Sequence, residues 1–133
     1  MQVIKTPLTA DQAVAALLSG IEAQNMRVVA HINGQANAAK IGKEVPADQI
    51  LEVFRPDFAV RVWEACKPAG IDIPLRLHVY EEDGSVYVAY RTPSEVFEPY
   101  ELASLMTIAR ELDVIFAAIV AAATSPAAVE AAS

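Results

Sequence analysis

Apolar residues recur along this chain at two spacings, and the places where one gives way to the other mark out its elements. Gln2 to Thr6 reads as a short strand ended by Pro7. Val14, Leu17, Leu18 and Ile21 then fall on one helical stripe. Thr9 and Gln12 have the spacing of a capping box, so the helix is predicted from about Ala10 to Gln24. Asn25 turns the chain into a strand over Arg27 to Asn33. Simple alternation there puts Val28, Ala30 and Ile32 on one face and Arg27, Val29, His31 and Asn33 on the other. Gly34 breaks that strand. Gln35 to Ile41, with three alanines, predicts a short helix ending at Gly42, and Ile50 to Phe54 reads as a third strand.

Pro56 suits the first turn of a helix, where a missing N–H costs little, and Asp57 complements the dipole there. Phe58, Ala59, Val62, Ala65 and Cys66 form its buried side. Asp57 and Arg61 stand four apart with the acid first, the favourable order for an ion pair. Pro68 and Gly70 end that helix. After Pro99, the residues Leu102, Leu105, Ile108, Leu112, Ile115, Phe116 and Ile119 repeat at helical spacing, with Arg110, Glu111 and Asp113 on the wet side.

Between these helices lies a hairpin that can be read residue by residue. Asp83-Gly84 is a strong two-residue turn signal, because both central positions of a type I′ turn need positive φ. About that centre Val79 opposes Val88 and Leu77 opposes Tyr90. Leu75, Leu77, Val79, Val86, Val88 and Tyr90 then share one face. The other carries Arg76, His78, Tyr80, Tyr87, Ala89 and Arg91. Arg76 would face Arg91, and directly opposed like charges repel. Such a pair needs a carboxylate neighbour, a bound anion or room to splay into solvent.

The order is β-α-β-(short α)-β-α-β-β-α. Helices with a single apolar face cover one side of a sheet. The expected fold is therefore α+β, a single-domain two-layer sandwich over residues 1–123. It has one mixed sheet of about five strands and helices mainly on one face. The Ala-rich segment 124–133 is expected to be a disordered tail. The uncovered sheet face would present Asn33, Arg76, His78, Tyr80, Tyr87 and Arg91, with His31 beside them if its strand is a neighbour.

Composition narrows the function. The 133 residues suit one domain. Ten basic against seventeen acidic residues give a net charge of -7, which argues against a nucleic-acid partner. The lone Cys66 excludes an intrachain disulfide and suits a reducing compartment. The first residues lack a continuous apolar signal-peptide core, which makes the cytoplasm the expected location. Val114 to Ala123 is too short to span a bilayer, so no membrane role is expected.

The segments Phe54-Arg55-Pro56-Asp57, Pro74-Leu75-Arg76, Asp83-Gly84, Tyr90-Arg91-Thr92-Pro93 and Glu111 to Phe116 together resemble the small bacterial proteins grouped as domain of unknown function 302. The resemblance runs from Val3 to about Ala121. It implies a compact α/β protein, homodimeric in some members, and supplies no catalytic residues. A frequent variant has Phe-Gly-Asn-Pro where this chain has Phe54-Arg55-Pro56, so Arg55 is a departure.

The residues leave three chemistries to weigh. The uncovered face reads as a homodimer surface or as a site for a small anionic ligand beside Arg76 and Arg91, with Arg55 a weaker contributor. Cys66 is a weak candidate for sulfur or redox catalysis, because it falls late in its helix, where the dipole opposes a thiolate. His31 and His78 offer a metal only if the fold brings them together, since no paired ligand spacing exists. No Gly-rich phosphate loop is present, and no cofactor is indicated.

Overall fold

The opening of the chain adopts what its pattern dictates. The protein is described from a computed structural model over residues 1–126 and 128. Strand β1 (Gln2–Thr6) is closed by Pro7, and helix α1 (Ala10–Ala23) follows. Gln12 N–H donates to Thr9 Oγ1 at 3.1 Å and Thr9 N–H donates to Gln12 Oε1 at 3.0 Å, completing the capping box. Asn25, at φ 56°, supplies the left-handed turn into β2 (Arg27–Asn33). Helix α2 (Gly34–Ala39), strand β3 (Asp48–Phe54) and helix α3 (Pro56–Ala65) come next. A 3-10 helix over Lys67–Asp72 leads to β4 (Leu75–Glu82) and β5 (Ser85–Tyr90). Asp83 and Gly84 both have positive φ, 51° and 79°, as the hairpin turn requires.

Two α-helices follow, α4 (Pro93–Phe97) and α5 (Ala103–Thr124), joined through a 3-10 turn over Glu98–Tyr100. Hydrophobic periodicity gives no sign of α4, which is barely more than one turn. Its signal is local, a second capping box between Thr92 and Glu95 with Pro93 at the first position.

The strands form one sheet in the order β1-β5-β4-β3-β2. The α+β two-layer architecture is as expected, but the sheet is antiparallel throughout rather than mixed. Helix α1 carries the chain from one edge strand to the other. The excursion through α3 and the 3-10 helix returns to the end of the sheet where it began, so β4 runs back against β3.

The core lies between the sheet and α1, α3 and α5. Leu51, Leu77, Val79 and Val88 are completely buried, and meet a helix layer built on Leu17, Val62, Leu105, Phe116 and Ile119. Burial of this apolar surface, at roughly 25 cal/mol per Å², is the main stabilising term. Thr6 Oγ1 donates to Ala123 O at 2.8 Å and ties β1 to the last turn of α5. The tail expected from residue 124 falls mostly outside the described residues.

Polar contacts across the helix layer differ from local expectation. Arg61 pairs with Glu111 of α5, while Asp57 accepts from Arg55 Nε at 2.7 Å. An exposed i,i+4 pair is worth only about 0.3–0.5 kcal/mol, so a partner from another element readily displaces it. Elsewhere the Tyr100 hydroxyl donates to the Asp72 carboxylate and ties the approach to α5 to the 3-10 helix. Ionising Tyr100 would set a phenolate against that carboxylate, and its pKa is pushed up to about 12, mainly by this hydrogen bond. A folded-state pKa above the ordinary value near 10 means the stabilisation is complete below about pH 10 and is lost as pH rises towards 12. Tyr100→Phe is expected to flatten that part of a stability-against-pH curve measured by urea denaturation. An unchanged slope would show the bond to be unimportant.

Candidate functional site

Side chains alternate across a strand, so filling one sheet face with core residues leaves the other to their neighbours. The four ladders fix which groups stand side by side there. One row crosses all five strands: Val3, Ala89, His78, Ile50 and Ile32. Beside it run Lys5, Tyr87, Tyr80 and Asp48, and on its other side Arg76, Glu52 and Ala30. Helices α1, α3 and α5 lie on the opposite side of the sheet, and this face has a row of four apolar residues and His78 between rows that carry most of its charge. Val3 is 48% exposed and Ile32 46%, so the ends of that row are wet.

The middle of the face is ordered by ring stacking and paired charge. His78 stacks on Tyr80 with ring centroids 4.7 Å apart, and Tyr80 on Tyr87 at 5.3 Å. His78 Nε2 lies 3.1 Å from Asp48 Oδ2. Arg76 Nε lies 3.5 Å from Glu52 Oε1 on the neighbouring strand.

Several expected members of this face stand elsewhere. β2 has a bulge at Val29: Val28 pairs with Val53, whereas Ala30 pairs with Glu52. The extra residue reverses the alternation beyond it. Ala30 and Ile32 therefore reach the open face, while His31 and Asn33 turn to the helix side. His31 Nε2 is 2.7 Å from Gln49 Oε1 there, and Asn33 Oδ1 accepts from Ala36 N–H at 2.9 Å as the N-cap of α2. A metal shared by His31 and His78 is thus ruled out within one chain, since the rings lie on opposite sides of the sheet. No group of three or more His, Cys, Asp or Glu side chains is arranged to hold a metal among the described residues.

The expected opposition of Arg76 and Arg91 also fails. The β4–β5 ladder reaches only His78 and Ala89, and β5 ends at Tyr90, leaving Arg91 exposed beyond it. The carboxylate neighbour that Arg76 requires is Glu52. Arg55 is a clamp between helices: its Nη1 donates to Gln24 O at 3.1 Å, and its guanidinium sits 4.3 Å from the centre of the Phe58 ring. Cys66 is half-buried at the end of α3, packed against the core, with its N–H donating to Val62 O at 2.8 Å.

Residues that sequence reasoning missed on the open face are Lys5, Asp48, Ile50 and Glu52. Their alternation was legible, but which side faced the helices depended on pairings between distant strands. A cleft of about 420 Å³ opens at one corner, between Val45, Pro46 and Ala47 and the end of β4. Asp48, Glu81 and Glu82 line it, a setting hostile to an anion. An apolar cavity of about 20 Å³ beneath Arg55 and Phe58 has room for little more than one water-sized group. No helix among the described residues is long and apolar enough to cross a membrane.

A family model described as Domain of unknown function DUF302 matches residues 2–123. Among solved structures, the crystal structure of an uncharacterized conserved protein DUF302 from Bacillus stearothermophilus is similar, with a TM-score of 0.83 at 20% identity. That match covers 92% of this chain and 96% of the other, and at such identity the likeness is one of fold. No curated protein matches the chain.

Proposed function

The chain belongs to the DUF302 family, a membership that brings a fold and no chemistry, and we propose that its open sheet face joins two copies of the chain into a non-catalytic, cytoplasmic binding module. One observation carries this reading. The row Val3, Ala89, His78, Ile50 and Ile32 crosses the full width of a sheet whose other side is already filled with core. Four apolar residues and a stacked imidazole, with charged groups on either side, have the mixed layout of a protein interface. Glu52 beside Arg76 allows that part of the frame to approach another surface without leaving an isolated ion.

A small anionic ligand has less support. Arg76 is engaged by Glu52, Arg91 lies outside the ladder, and the nearby cleft is lined with carboxylates. Catalysis by Cys66 has less again, because the thiol sits in the helix layer at a helix C-terminus.

Ile50→Lys tests the reading. Ile50 is half-buried next to the centre of the row and its side chain points away from the core, so the fold should survive. A charge placed in a dry contact costs more than about 1.4 kcal/mol, or tenfold in affinity. Sedimentation equilibrium should show a wild-type dimer and a largely monomeric variant with unchanged circular dichroism. A variant that dimerises like wild type would remove this face from consideration.

A further inference from the structure

The order of charges along one row says how the two copies would sit. Lys5, Tyr87, Tyr80 and Asp48 lie side by side across β1, β5, β4 and β3, with a cation at one end, a carboxylate at the other and two aromatic rings between. A two-fold interface brings a surface against itself, so a patch with opposite charges at equal distances from its middle is self-complementary. The middle of this row falls between β4 and β5.

We infer that the open faces of two chains meet about a two-fold axis running along the hairpin between β4 and β5, with Lys5 of each copy against Asp48 of the other. The inference rests on the reading that this face meets a second copy, and adds its register. Rotation about that axis lays Tyr87 of one copy over Tyr80 of the other, Val3 over Ile50 and Ala89 over His78, and brings Arg76, which its own Glu52 neutralises, towards the end of β5 where Arg91 splays into solvent. Packed sheets lie about 10 Å apart with strands within about 30° of alignment, a mismatch the long Lys5 side chain can absorb. The neighbouring choice, an axis along β4 itself, is worse. It would set His78 over His78 and would carry Lys5 onto the end of β2, where the row holds no acid.

Within one chain the two charges are far apart. Three interstrand steps of about 4.8 Å separate them by roughly 14 Å, beyond the screening length of about 8 Å at physiological salt. Rescue between them must therefore pass between molecules.

The experiment is a charge exchange read by sedimentation, with circular dichroism confirming that each variant is folded. Lys5→Glu and Asp48→Lys should each raise the dimer dissociation constant at least tenfold. The double variant K5E/D48K should return to within about threefold of wild type. Mixing the two single variants should yield a heterodimer far tighter than either homodimer, since both crossed pairs then have opposite signs. Lys5→Gln and Asp48→Asn should weaken association without rescue on mixing, which separates charge from damage to the fold. If exchange and mixing rescue nothing while Ile50→Lys still dissociates the dimer, the register is wrong and the interface stands. A monomeric wild type, or a dimer indifferent to Ile50→Lys, overturns both.

Discussion

Replacing Leu77 with alanine is expected to lower the unfolding free energy by about 3 to 5 kcal/mol, a large part of the roughly 5–15 kcal/mol that holds a domain of this size. Leu77 sits in the middle of β4, the central strand of the sheet, and is 0% exposed. Its cross-strand partner Leu51 is equally buried, Val79 follows it on the same face, and α1 packs above. Truncation costs the transfer energy of the lost carbons and leaves a void as well. Here the void closes poorly, because β4 is paired with β3 at Leu77 and with β5 from His78 onward and cannot sink towards the helices. Urea titration should move the midpoint with little change in slope. A loss under about 1.5 kcal/mol would mean that the layer relaxes far more freely than this packing suggests. Set beside Ile50→Lys, the comparison also tests the division of the sheet: the inward substitution should destabilise the fold, and the outward one should mainly change association.

That division was legible where turn chemistry fixes register and hidden where it does not. Asp83-Gly84 determines the β4–β5 pairing, so Tyr80 opposite Tyr87 could be read directly from the sequence. β2 has no comparable marker. Nothing in Arg27 to Asn33 announces the extra residue at Val29, and one inserted position exchanges the two faces of the strand beyond it. His31 and Asn33 were lost to the open face for that reason, and Ala30 and Ile32 gained. Arg76 illustrates a second limit. Its repulsion with Arg91 was argued from the hairpin alone, but a central strand has two neighbours, and the one bearing Glu52 comes from a distant stretch of chain. The short motifs that carry the family resemblance reported fold reliably because they mark turns and helix starts, which are local. The composition of a sheet face depends on strand order, which is not.

The second large effect is expected where two helices cross. Gly20 has ordinary helical geometry, so its role is close approach rather than an unusual φ. A Cβ at this position would lie 3.0 Å from Ala122 Cβ and 3.2 Å from Ile119 O, against the backbone and shortest side chains of α5. Those atoms cannot swing away as the tip of a long side chain would. Gly20→Ala should gain up to about 1 kcal/mol of helix propensity and lose a similar amount to crowding, ending close to neutral. Gly20→Val adds two further methyl groups with a stiff χ1 and should cost about 3 kcal/mol as α1 and α5 are pushed apart. Only three residues separate the end of β1 from the start of α1, and α5 is tied near its end to β1 by the Thr6 bond. The helices can therefore separate only by lifting off the sheet and thinning the contact with Leu77 and Val79. Thermal denaturation of the two variants should order them as alanine near wild type and valine far below. Equal melting temperatures for all three would show that the crossing at Gly20 is loose and that α1 is held by its sheet contacts alone.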